Sequence, residues 1–270
     1  MVNNKFSLTA RIALFSAIVI SSLFAFSVPA SAWAREGHET VAKLAELNLN
    51  KSTKRTVEKY LGGHSIVYYA KWCDLIRKTP EYIQTDKWHT DYVDESLNYA
   101  PSSKGDAVFA IKSAIETLRD WKHQPDSVVA TNIKFLIHFV GDMHCPSHMY
   151  FEGIDRSFSV RLEDSGHTWT SFGQHAVWDY ALIQANRYYS ATEWAEELDK
   201  LMTKEQKKEL AKGTPEEWLH ESATRAVGQF ERMKPGEKLG NDFVMWGMDL
   251  IETQISYAGV RLAAILNEIF

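Results

Sequence analysis

Two pairs of side chains carry the first chemical signal in this sequence. His138 and Asp142 stand four residues apart in FLIHFVGDMHCPSH, and His175 and Asp179 repeat that offset in QHAVWDYALI. On a helix such a spacing places both side chains on one face, one turn apart. Imidazole and carboxylate together are a zinc-type donor set. One such pair arises easily by chance; two, both inside apolar runs, point to metal binding. Further candidates are His38, Asp74, His89 and His148. Eight donors exceed the four that one tetrahedral zinc takes, so they suit two or three ions, especially if a carboxylate bridges.

The chain's two cysteines, Cys73 and Cys145, each lie beside a candidate ligand. In an oxidising compartment a disulfide bond is one arrangement and two buried free thiols are the other. Direct ligation by cysteine is disfavoured here, because His and Asp already suffice.

Residues 1–32 read as a secretory signal peptide, removed after Ala32. Lys5 and Arg11 give a basic start, Ile12 to Phe26 an apolar core, and Ala30-Ser31-Ala32 a small-x-small cleavage site. The expected mature protein is secreted or periplasmic, with one domain over 33–270. Cleavage there would leave Trp33 with a free α-amino group. Its nitrogen and carbonyl oxygen can chelate a metal, with His38 completing the site. No later stretch is apolar enough for a membrane span. Without Lys5 and Arg11 the chain has 28 basic and 35 acidic residues, a net charge near −7. That excludes broad electrostatic binding of nucleic acid but not a phosphate held by bound cations.

The elements that must position these donors read as helices, so the expected fold is all-α and single-domain. Val41, Leu44, Ala45 and Leu47 mark a first amphipathic helix. Residues 52–61 make a second, stopped by Gly62-Gly63, and a third runs from Ser65 to Arg77. A polar loop over 80–104 carries Trp88-His89. A helix from Asp106 to Trp121 follows, then one capped by Asp126 or Ser127 that holds His138 and Asp142. Alternation near 157–172 allows a short β-hairpin. A long helix from Asp242 to Phe270 closes the chain. His64, His123, His167 and His220 read as surface or structural histidines, and His144 is left open.

Taken in order, WAREGHETVAKLAE, WCDLIR, WH, FLIHFVGDMHCPSH, QHAVWDYALI and AGVRLAAILN resemble the zinc-dependent single-strand-specific nucleases and 3′-nucleotidases of fungi, plants and bacteria. These belong to a phospholipase C-like superfamily. The resemblance runs from Trp33 to the C-terminus. It implies three zinc ions: one on Asp74, His89, His138 and Asp142, a second on His148, His175 and Asp179, a third on Trp33 and His38 with Asp142 as bridge. It implies that a metal-bridging hydroxide cleaves single-stranded DNA and RNA to 5′-phosphates, and 3′-nucleotides also. Arg77 and Asp142 would be catalytic. The implied partners are nucleic acid and 3′-nucleotides, with no protein partner, no membrane and a monomer. WHTDYVDES departs from the pattern by two extra residues, so Asp91, Tyr92 and Asp94 share the expected substrate-binding role. Gly173-Gln174 replaces the usual pair ahead of His175. The alternative is a phospholipase C. The Trp33–His38 spacing and Asp179, where the lipases use Glu, weigh against it.

Overall fold

A computed structural model describes residues 33, 35–163, 168–186 and 189–270, with no side-chain description at 185 and 186. The leader expectation for 1–32 lies outside the described residues. The fold is helical, as expected, with two small sheets.

Helix α1 (Arg35–Leu47) buries Val41, Leu44 and Ala45. Helix α2 (Lys51–Tyr60) ends where Gly62 and Gly63 take φ values of 68° and 86°, a region open to glycine at little cost. The third helix is not continuous. It divides into a 3-10 turn (Ile66–Tyr69) and α3 (Trp72–Ile76). The Ala70 carbonyl at the break accepts from His138 Nδ1 at 2.8 Å. Part of the expected 80–104 loop is ordered as a 3-10 turn (Ile83–Lys87) and strand β1 (Asp91–Val93).

Asp106 caps α4 (Ala107–Arg119) by accepting from Phe109 N at 2.9 Å. Helix α5 (Asp126–His144) starts behind Pro125, without a side-chain cap. The expected caps Asp126 and Ser127 are inside the helix instead; Asp126 there faces the positive end of the dipole. From Leu136 to His144 every residue of α5 is buried, as in a central core helix. Cys145 then turns extended (ψ 124°) before Pro146, the conformation proline imposes on its predecessor.

A 3-10 turn (Pro146–His148) leads into β2 (Met149–Phe151), which pairs parallel with β1, Asp91 opposite Met149. This ladder brings His89 and His148, each just ahead of its strand, to the same end. The expected hairpin is present: β3 (Ser159–Glu163) pairs antiparallel with β4 (Trp169–Gly173). Next come α6 (Gln174–Ala176), a π-helical turn (Val177–Ala181) and α7 (Leu182–Asn186).

Capping boxes start α8 (Ala191–Lys200), α9 (Lys204–Leu210) and α10 (Pro215–Ala226), and α11 (Gln229–Arg232) is short. Strand β5 (Lys238–Leu239) adds parallel to β3. Helix α12 (Asn241–Ile269) lies against α1, α4 and α5. Gly259 lets it approach α1: a Cβ there would stand 2.5 Å from Leu44 Cδ2. None of the described helices is long and apolar enough to cross a membrane.

Candidate metal centre

The centre is built around the last turns of α5. Asp142 is completely buried. Its Oδ1 is 3.3 Å from His38 Nε2 and 3.2 Å from His148 Nδ1. Its Oδ2 is 3.0 Å from His89 Nδ1 and 3.2 Å from His138 Nε2. Four imidazoles from four parts of the chain therefore converge on one carboxylate. Burial alone would raise its pKa; His138 and His148 hold the carboxyl well below the usual range instead.

Local structure orients His138 and His38. His138 Nδ1–H donates to Ala70 O, which turns the Nε2 lone pair inward. Its Nε2 is 3.8 Å from Asp74 Oδ1 and 3.1 Å from His89 Nδ1. His38 and His138 stack at 4.1 Å. His38 fits because residue 141 is glycine: a Cβ would lie 2.9 Å from His38 Nδ1. The buried Trp33 ring is admitted the same way by Gly37, whose Cβ would meet Cε3 at 2.5 Å.

A second part of the centre lies beyond His148. His148 Nε2 is 3.5 Å from Asp179 Oδ1, and His175 Nε2 is 3.6 Å from Asp179 Oδ2. His175 Nδ1–H donates to Ser147 O at 3.3 Å. Its side chain is 33% exposed, whereas those of His148 and Asp179 are buried. His175 thus marks the solvent side. The π-helical turn that holds Asp179 is a rare element favoured at functional sites.

All eight sequence-derived donors thus meet in one region. Arg77 stands beside them, with Nη1 4.0 Å from Asp74 Oδ1 and Nε 3.8 Å from Asp86 Oδ1. The expected substrate residues divide. Tyr92 stacks on Tyr150 at 5.0 Å, and the Arg156 guanidinium lies 3.8 Å above Tyr150. Asp94 Oδ1 accepts from Ser96 N and Asn98 N at 2.9 and 2.8 Å, so it organises its own turn. Asp91 is completely buried and accepts from Val108 N at 2.9 Å. It holds the start of α4 and presents no exposed surface. Burial pushes its carboxyl well above the usual range.

Of the two cysteine arrangements left open, the structure has the free thiols, with Cys73 and Cys145 both buried. Cys73 Sγ donates to Lys134 O at 3.7 Å, whereas Cys145 Sγ lies 3.2 Å from Ser147 Oγ. Lys134 and Cys145 are separated by about three turns of α5, roughly 16 Å, beyond the reach of a disulfide.

A family model described as S1/P1 Nuclease matches residues 33–270. The chain belongs to the S1/P1 nuclease family. Among its relatives, Endonuclease 4 of Arabidopsis thaliana is 26% identical over 279 residues, covering 88% of this chain and 89% of that protein. Endonuclease 5 of the same plant is 25% identical over 272 residues, covering 88% and 90%. Nuclease S1 of Aspergillus oryzae is 28% identical over 176 residues, covering 58% and 60%. As a member of the S1/P1 family the chain is a nuclease, a metal-dependent hydrolase of phosphodiester bonds in nucleic acid.

The residues fit that S1/P1 chemistry. Both ring nitrogens of His38 and of His148, and both carboxylate oxygens of Asp179, are buried without a hydrogen-bond partner. Orphaned buried polar atoms are costly, and bound cations would take up the lone pair of each imidazole and the carboxylate oxygens of Asp179. Three groups of donors have mutually close ligand atoms: His38, His138 and Asp142; Asp74, His89 and His138; Cys145, His148 and Asp179. Sequence reasoning weighed ligation by cysteine and set it aside, and it passed over Gly141, whose signal was its place inside GDMHCPSH, among the ligands themselves.

Proposed function

We propose that residues 33–270 form a zinc nuclease and 3′-nucleotidase that acts on single-stranded DNA and RNA and leaves 5′-phosphates. The observation that carries this reading is the buried donor cluster centred on Asp142, with orphaned atoms on His38, His148 and Asp179. Asp74, His89, His138 and Asp142 would hold one ion. His148, His175 and Asp179 would hold a second. Trp33, through its α-amino nitrogen and carbonyl, would hold the third with His38, and Asp142 would serve two ions. Three zinc ions would supply an activated water near neutral pH and charge stabilisation at the phosphate.

The chain's own groups do the rest. Arg77, oriented between Asp74 and Asp86, donates to phosphate oxygens and offsets charge that grows during attack on phosphorus. His138, locked by Ala70 O, and Asp142 keep the donors from rearranging. The cluster is recessed, with His175 on its solvent side. A flexible single strand reaches such a recess more readily than a stiff duplex. Tyr92, stacked on the 42%-exposed Tyr150 under Arg156, supports a base-stacking surface with little sequence preference. Removal of the leader after Ala32, export, and a monomer without a protein partner belong to the same reading.

The test is hydrolysis by the purified 33–270 protein of single-stranded DNA, single-stranded RNA, a 3′-mononucleotide and phosphatidylcholine, with and without chelator. Release of 5′-phosphate products that stops on chelation and returns with zinc is the expected result. Lipid cleavage without nucleotide release would refute it, as would full activity in excess chelator.

A further inference from the structure

Cys145 is not part of the donor set assigned above, yet its sulfur points into it. Cys145 Sγ, a ring nitrogen of His148 and a carboxylate oxygen of Asp179 all lie within 4.8 Å of one another. All three side chains are buried. The His148 nitrogens and Asp179 oxygens have no hydrogen-bond partner, so two unsatisfied residues face the thiol. Cys145 Sγ also lies 3.2 Å from Ser147 Oγ; the other cysteine, Cys73, has its Sγ on Lys134 O and belongs to none of the donor groups.

We propose that Cys145 is a metal ligand, completing a Cys-His-His-Asp site with His148, His175 and Asp179. The inference rests on the reading that this cluster holds metal ions. Donors around one tetrahedral zinc stand roughly 3.6 Å apart, given bonds of about 2.3 Å to sulfur and about 2.0–2.1 Å to nitrogen. The Cys145, His148 and Asp179 atoms, at most 4.8 Å apart, reach that size by a contraction of up to about 1.2 Å, and His175 joins them through Asp179 Oδ2, 3.6 Å from its Nε2. On binding, the S–H bond gives its proton to solvent, and the sulfur keeps the electron pair that it donates to the cation. No oxidant or reductant takes part.

Two consequences follow. The thiolate anchors His148, whose Nδ1 is 3.2 Å from Asp142 Oδ1. The site also becomes soft, favouring zinc or cadmium over magnesium or manganese.

Cobalt(II) substitution of the stripped 33–270 protein tests this. Visible d–d bands and bound cobalt per chain report metal binding by any donors. A near-ultraviolet sulfur-to-cobalt charge-transfer band reports the thiolate. The band is expected in the unmutated protein and in Cys73→Ser, and is expected to be lost in Cys145→Ser. Bound cobalt without the band, or a band that survives in Cys145→Ser, overturns the proposal and leaves the metal reading intact. Absence of any bound cobalt overturns both. Should Cys145→Ser fail to fold, zinc-edge X-ray absorption of the unmutated holoprotein decides: a sulfur neighbour at about 2.3 Å supports the proposal, and none refutes it.

Discussion

Asp142 Oδ1 stands 3.3 Å from His38 Nε2, so a carboxylate near the end of α5 meets an imidazole from the start of α1. Its Oδ2 serves His89 and His138 at the same time. An amide cannot give two anionic oxygens to two ions. Asp142→Asn is therefore expected to lose more than one metal equivalent per chain, with helicity by circular dichroism unchanged. Metal affinity should fall about 100-fold or more, since outer partners of ligands alone typically cost 10–100-fold. Loss of a single equivalent would mean that Asp142 serves one ion only.

Gly141→Ala sets two effects against each other. In a helix interior, alanine gains about 1 kcal/mol over glycine. The new Cβ would lie 2.9 Å from His38 Nδ1 and 3.2 Å from Cε1, and overpacking of this kind costs about 1–3 kcal/mol. The imidazole is held by packing on both sides, so the clash is expected to win. Urea unfolding should show net destabilisation, and elemental analysis should show one ion fewer. A protein as stable as the parent with full metal content would contradict this.

The opposite side of α5 depends on Arg261. Its buried guanidinium donates to His144 Nε2 at 2.9 Å, to Leu210 O at 3.1 Å and to Glu221 Oε2 at 2.5 Å. His144 is thereby structural, its Nδ1–H given to Val140 O. Arg261→Met should cost about 3 kcal/mol, the lower end for breaking a buried pair, because Glu221 is 45% exposed and can rehydrate. Chemical denaturation measures this directly. A change below 1 kcal/mol would show the network to be dispensable.

Stripping the metal should lower the melting temperature. Each ion present at 1,000 times its dissociation constant adds about 4 kcal/mol to the folded state. Calorimetry with and without chelator, followed by zinc titration, reads the effect. An unchanged transition would argue against ions at the orphaned atoms of His38, His148 and Asp179.

The N-terminal ligand has its own test. Trp33 is buried against Gly37, and on the proposed reading its free amine binds the third ion. A protein starting Met-Trp33 should hold one ion fewer and lose most of its activity. Equal metal content in the two forms would remove Trp33 from the ligand set.

Much of the centre was legible because its signals are local. The His138–Asp142 and His175–Asp179 offsets, the glycine stop after α2 and the long α12 each depend on residues within a few turns. Spacing predicts which side chains share a helix face, and the structure has them there. The break at Ala70 was not legible, because its carbonyl partner His138 lies in another helix. Nor was the parallel β1–β2 pair, whose strands alternate too briefly to show a period.

The sequence alone determined the inventory: all-α elements, two helical ligand pairs and the remaining His and Asp donors. Those follow from periodicity and residue chemistry, which act over short range. Only the tertiary structure decided the assignments that depend on where α5 is packed. It buried Asp91 under α4, drew Asp94 into its own turn, and kept Cys73 and Cys145 apart as free thiols. It also turned Cys145 toward His148 and Asp179. Direction and distance between elements arise from core packing, and no spacing along the chain encodes them.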